Sequence, residues 1–205
     1  MSVLISVLII VSAYLLGSII ISPALGRTKG IDIRRRGSGN PGATNTFRVL
    51  GWKMGLLELL FDIIKGIVPV WASYALGRQP WELVAVGTAV IIGHLFPVFG
   101  NFKGGKGVAT ATGVLIVLSP LGLGIALLIF VATYIATHYV SLASILATAT
   151  IVASQIFKAS AWDFANEPVT IWSLVLLAII LVTHRQNIIR LLAGQETKTY
   201  LFKKG

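Results

Sequence analysis

Cysteine is absent from the 205 residues, which excludes disulfides, thiolate metal sites and a cysteine nucleophile. Charge is nearly as scarce, at 12% of the chain against 56% hydrophobic residues, and the mean hydropathy is +0.87. Such a chain lacks the polar groups to cover its own surface, so the composition excludes a water-soluble domain and predicts an integral membrane protein. A G-x-S-x-G elbow is missing, because Gly37 is followed at once by Ser38, and with it goes the usual setting of a serine hydrolase. No internal repeat and no low-complexity tract is visible, which argues against a transporter built from repeated halves.

What is present is a series of apolar runs. They predict an all-α, polytopic helix bundle with about seven transmembrane helices over residues 2–25, 54–77, 81–100, 104–118, 121–139, 140–157 and 169–192. The first run is longer than the apolar region of a signal peptide and has no basic residue ahead of it, so it reads as a retained span. The fourth, of about 15 residues, would cover only ~22 Å of a ~30 Å hydrocarbon core and is open to a re-entrant reading. The basic residues set the orientation. Arg27, Lys29, Arg34, Arg35, Arg36, Arg48 and Lys53 lie between the first two helices, and Arg185, Arg190, Lys198, Lys203 and Lys204 lie near the C-terminus. Positive-inside bias wants both groups cytoplasmic, hence an even number of crossings between them. Counting the fourth helix satisfies this. It places the N-terminus outside and the C-terminus in the cytoplasm, with Lys103 and Lys106 inside and Arg78 and Lys158 outside beside Glu82, Asp163 and Glu167. The net charge of +10 is mostly this cytoplasmic excess and favours anionic membrane lipid as a partner. Residues 1–205 read as one domain.

Three unusual segments collect on the cytoplasmic face. In "GSGNPGATNTFR", residues 37–48, turn-forming residues precede hydroxyls, amides and a guanidinium, a set able to surround one phosphate; a flexible loop between spans is the alternative. "GHLFPVFGNFKGGKGVAT", residues 93–110, contains the spacing G-x-x-x-x-G-K from Gly100 to Lys106. A nucleotide-binding P-loop is excluded, since Gly107 stands where Ser or Thr would hold magnesium and no short strand precedes it. The physics of that motif survives: glycines let N–H groups approach an oxyanion, and a helix beginning near Gly104 would aim its positive end there. Lys103 fits an interfacial lysine, whereas Lys106, flanked by glycines, fits a phosphate contact. His94, near a helix end, reads as structural rather than catalytic. In "HRQNIIRLLAGQE", residues 184–196, a continued last helix puts His184 and Asn187 on one face with Arg190 adjacent. A cation-rich helix end at a membrane surface is the competing explanation, and it suffices for Arg185. Glu58, Asp62 and Lys65 fall inside the second span, where Asp62 and Lys65 are spaced to pair for a structural purpose. Ser141, Ser144, Ala147 and Thr148 read as close helix packing.

Taken in order, the three segments resemble the motifs of the bacterial acyl-phosphate:glycerol-3-phosphate acyltransferases, the PlsY family. "FDIIKG", residues 61–66, also suits that family, and the likeness runs from the first helix to Glu196. The resemblance implies transfer of a fatty acyl group from acyl phosphate to the 1-hydroxyl of glycerol 3-phosphate, giving lysophosphatidic acid. It implies no cofactor, no metal, no nucleic-acid partner and no direct coenzyme A or acyl carrier protein donor. The location it implies is the bacterial inner membrane, with the active site facing the cytoplasm. No His-x4-Asp acyltransferase pair occurs, since Phe99, Ala143 and Ile189 follow the four-residue spacers after His94, His138 and His184. By the resemblance, Ser38, Asn40, Thr44, Gly104, Gly105 and Lys106 surround the acyl phosphate, while Arg48, Lys103, His184 and Asn187 orient glycerol phosphate or polarise the acyl carbonyl. Asn45, Gly107 and Arg190 complete the expected substrate-binding set. An organic-phosphate transporter and a lipid-binding scaffold are the other classes a basic rim would serve.

Overall fold

The computed structural model describes residues 3–158 and 168–200, so expectations for Asp163, Glu167, Lys203 and Lys204 lie outside the described residues. Among the described residues the regular structure is helical throughout. Contacts divide the chain into two units, one running to Val117 and the other spanning Leu118–Tyr200.

The first unit holds α1 (Val3–Gly17), α2 (Ser22–Arg27), α3 (Ala43–Leu50), α4 (Trp52–Ala75), α5 (Pro80–Leu95) and α6 (Val108–Leu118). The expected first span is one apolar run, yet its helix breaks between Gly17 and Ser22. Pro23 explains the break. It has no N–H to give the carbonyl four residues back, at Ile19, and Lys65 Nζ from α4 takes that carbonyl instead at 2.8 Å. Close backbone approach holds the unit together. A Cβ on Gly17 would fall on the Val90 carbonyl and one on Gly93 on the Tyr14 carbonyl, so α1 lies tight against α5. Gly66 and Gly113 do the same for α4 and α6, against the carbonyls of Thr110 and Ile63. Val70, Val86, Val90, Ile91 and Val114 form the apolar centre.

Two expectations change here. Residues 37–48 are not simply a loop, because Ala43–Leu50 is helical. The helix expected from Gly104 starts at Val108 instead, leaving residues 103–106 without regular structure.

The second unit holds α7 (Pro120–Thr137), α8 (Val140–Lys158), α9 (Pro168–Thr183) and α10 (Arg185–Leu192). His138, left-handed at φ 59°, turns α7 into α8 within two residues. Ser144 and Thr148 return their hydroxyls to carbonyls of their own helix, in keeping with packing. Ser141 does more, as described below. The expected continuous helix over 169–192 is bent by 64° between α9 and α10. His184, at φ −99° and ψ 6°, is the joint.

Among the described residues four stretches are long and apolar enough to cross a bilayer, Val3–Arg27, Pro80–Gly100, Pro120–Thr137 and Val140–Lys158, and the bent pair makes a fifth. At 24 residues α4 is also long enough, at about 36 Å, but it carries Glu58, Asp62 and Lys65 in its interior. With 11 residues, or about 16 Å, α6 is shorter than the hydrocarbon core.

Candidate functional site

The first cluster is built where the chain leaves α2. Asp32 caps a short 3-10 turn, Ile33–Arg35, by accepting from the Arg34 N–H. Gly37 and Gly39 then take positive φ, at 60° and 70°, and reverse the chain into α3. Asn45 holds this reversal. Its Oδ1 accepts the Ser38 N–H at 2.8 Å, and its Nδ2 donates to the carbonyls of Ile33 and Arg36, both at 3.1 Å. A Cβ on Gly37 would collide with that same Oδ1. Asn45, 1% exposed, is thus a brace for the loop rather than a group presented to a ligand. The loop it braces presents Ser38 at the surface, with Asn40, Thr44 and Arg48 half-buried. No side chain caps the start of α3 at Gly42.

The second segment meets the first directly. Arg34 Nη2 donates to the carbonyls of Gly100 and Lys103, each at 3.3 Å, and Gly105 lies against the Pro41 carbonyl. After α5 the chain makes a 3-10 turn, Val98–Gly100. Asn101 and Phe102 are left-handed, at φ 54° and 57°. Gly104 and Gly105 then press onto the end of α5: a Cβ on Gly104 would strike the His94 carbonyl, and one on Gly105 would strike His94 Nε2. The Gly105 N–H donates to the His94 carbonyl at 3.1 Å. Gly107, at φ 83°, leads into α6. Lys103 is exposed and Lys106 half-buried.

Under this loop the Asp62–Lys65 pair forms, with Nζ 2.7 Å from Oδ1 and both side chains 1% exposed. His94 joins it, with Nδ1 3.4 Å from the same oxygen. Glu58 is fully buried one turn before Asp62.

The third segment belongs to the second unit and makes its own cluster there. His184 is buried and its Nδ1 lies 2.9 Å from the Ile180 carbonyl, which can only accept, so Nδ1 carries a proton. Asn187 Nδ2, Arg190 Nε and Ser141 Oγ all donate to Glu196, at 2.6, 2.8 and 2.9 Å. Burial disfavours charge on Glu196, but these donors outweigh it and hold the carboxyl below the ordinary carboxylate range. Gly194, at φ 68°, turns the chain back so that Glu196 reaches α10. Glu196 and Arg34 are the two groups that the sequence pattern did not single out. Glu196 is the only acid in residues 184–196, and that is the signal it offered.

Among the described residues no group of three or more His, Asp or Glu side chains is placed to hold a metal ion. A family model described as glycerol-3-phosphate acyltransferase matches residues 7–194. The chain is 45% identical over 188 residues to a glycerol-3-phosphate acyltransferase of Geobacter sulfurreducens, covering 91% of this chain and 93% of that one. It is 42% identical over 189 residues to that of Aquifex aeolicus, with 92% and 96% covered. A solved structure of PlsY (YgiH), an integral membrane glycerol 3-phosphate acyltransferase in its glycerol 3-phosphate form, superposes with a TM-score of 0.87 at 39% identity, over 95% of this chain and 96% of that one. The lysophosphatidic acid form gives 0.84 at 38%, with 96% of each covered.

Proposed function

Because the chain belongs to the glycerol-3-phosphate acyltransferase family and is an all-helical integral membrane enzyme, we propose that its acyl donor is an acyl phosphate and that transfer is direct. The observation that carries this reading is the junction of the first two segments, where Arg34 ties residues 100 and 103 to the loop before Ser38 and Gly105 meets Pro41. That junction joins the backbones of the two segments, and the hydroxyl, amide, guanidinium and ammonium groups they carry are the kinds that bind phosphate. The related structures in glycerol 3-phosphate and lysophosphatidic acid forms support the acceptor and the product.

The glycerol 1-hydroxyl oxygen forms a bond to the acyl carbon, the bond from that carbon to the phosphate oxygen breaks, and the hydroxyl proton passes to a donor phosphate oxygen. The products are 1-acyl-glycerol 3-phosphate and inorganic phosphate. Phosphate leaves readily, so the protein supplies orientation and charge neutralisation. Ser38 donates a hydrogen bond to the donor phosphate, Lys106 neutralises it, and Arg48 and Lys103 hold the acceptor phosphate. In the second unit His184 and Asn187 are groups of the kind that bind a substrate oxygen, and Arg190 supports Asn187 through their common acceptor Glu196. The 205 residues act as one acyltransferase domain with seven crossings, N-terminus outside, in a bacterial inner membrane with the site toward the cytoplasm. Purified protein given palmitoyl phosphate and glycerol 3-phosphate yields lysophosphatidic acid and phosphate in equal amounts, with no product from acyl coenzyme A or acyl carrier protein. Turnover with either of those thioesters in place of the phosphate would sink the donor assignment.

A further inference from the structure

The buried ionisable groups beneath the glycine loop have no part in the transfer step as written. Lys65 and Asp62 are spaced one turn apart on α4, both 1% exposed, and a charge pair so placed is costly to desolvate. Two contacts fix it from outside the helix. Lys65 takes the Ile19 carbonyl that Pro23 leaves unmatched, and Asp62 faces His94 Nδ1 at 3.4 Å. His94, itself 3% exposed at the side chain, then touches the loop twice. Its carbonyl accepts the Gly105 N–H at 3.1 Å, and its Nε2 edge fills the place where a Gly105 Cβ would stand. The same carbonyl blocks a Cβ on Gly104. An aliphatic pair would pack α4 as well, but it would not orient an imidazole.

We propose that His94 is a positioning residue for acyl transfer: Lys65 and Asp62 orient its ring through Nδ1, and the ring and carbonyl preset the Gly104–Gly105 backbone to receive a substrate phosphate. The proposal rests on the reading above for what the loop holds. The His94–Gly105 contact itself stands on geometry alone. It also accounts for two adjacent glycines, since either methyl would push the loop off its support.

The test is a double-mutant cycle on the full-length enzyme. In His94→Asn the amide keeps a polar group facing Asp62 where Nδ1 stood at 3.4 Å, while the Nε2 edge is gone. In the wild-type background Gly105→Ala is expected to raise KM for one substrate by about tenfold or more, whereas in the His94→Asn background the clash with the ring is gone, only the Pro41 carbonyl still presses on the methyl, and the cost falls to about threefold or less. A rise for glycerol 3-phosphate places the acceptor's phosphate on the loop, and a rise for the donor places the donor's phosphate there. Equal cost of Gly105→Ala in both backgrounds would overturn the proposal, as would a His94→Asn enzyme that loses kcat with both KM values unchanged. Should His94→Asn fail to fold, Asp62→Asn takes its place and must show the raised KM with kcat preserved; unchanged KM refutes the positioning role. The cycle is run with whichever donor supports turnover, and glycerol 3-phosphate binding is followed by calorimetry without donor. Failure of acyl phosphate as donor is therefore distinguishable from failure of the His94 assignment.

Discussion

Removing the Glu196 carboxylate gives a stability change that can be worked from the structure. Glu196 is 5% exposed at the side chain and accepts from Ser141, Asn187 and Arg190. The two neutral donors contribute about 1 kcal/mol each. Arg190 is 38% exposed, so solvent screening reduces its charged hydrogen bond to about 1 kcal/mol as well. Glu196→Ala therefore costs about 3 kcal/mol, and at about 2–4 °C per kcal/mol for a chain of 205 residues the melting temperature falls by about 6–12 °C. Glu196→Gln keeps the length and one acceptor oxygen and loses about a third of that. Melting is followed by intrinsic tryptophan fluorescence in detergent. The sign with pH follows from the depressed carboxyl: its contribution is full above the unfolded value of about 4.3 and is lost as pH falls through the lower folded value. Wild type is therefore indifferent to this group between pH 7 and 5 and weakens below about pH 4, and the Gln variant shows a shallower acid decline. A Glu196→Ala protein melting within about 2 °C of wild type would refute the reasoning, since three donors would then have lost their acceptor without consequence.

Lys106→Ala and Arg48→Ala each lose activity by about a hundredfold or more, the cost of a charge-assisted contact of about 3 kcal/mol to a substrate oxyanion, while exposed Lys158→Ala does not; near-normal turnover of Lys106→Ala would remove the phosphate role of the loop. Intact-mass analysis after adding acyl phosphate without acceptor shows no acyl adduct, because Ser38 lies outside a nucleophile elbow; a stoichiometric adduct discharged by glycerol 3-phosphate would establish an acyl-enzyme. Single cysteines at Arg36 and Lys103 of this cysteine-free chain stay unlabelled by an impermeant thiol reagent in intact cells, and one at Arg78 is labelled. Labelling at position 103 but not at 36 would break the seven-crossing count.

Apolar runs made the helices legible, because length and composition decide membrane helices almost alone. What they hid were the places where one group takes another's hydrogen bond. Pro23 was visible in the first run, and its geometry frees the Ile19 carbonyl. That Lys65, 46 residues on, would claim it depended on how α1 and α4 lie together. The bend at His184 had no proline or glycine to announce it. Asn45 shows the limit most clearly. Its type and neighbourhood are those of a phosphate contact, yet both ends of its amide are held by Ser38, Ile33 and Arg36, a use that exists only after Gly37 and Gly39 have turned the chain. Glu196 escaped for a similar reason, since it reaches Asn187 only through the reversal at Gly194. A sequence thus discloses which polar groups are affordable at a membrane edge, but whether a group faces a ligand or another part of the chain is decided by left-handed glycines that fix where the chain returns. Asn45 and Glu196 should accordingly behave as supports, with losses in folding that precede losses in substrate affinity, whereas Ser38, exposed beside the brace, should behave the other way round.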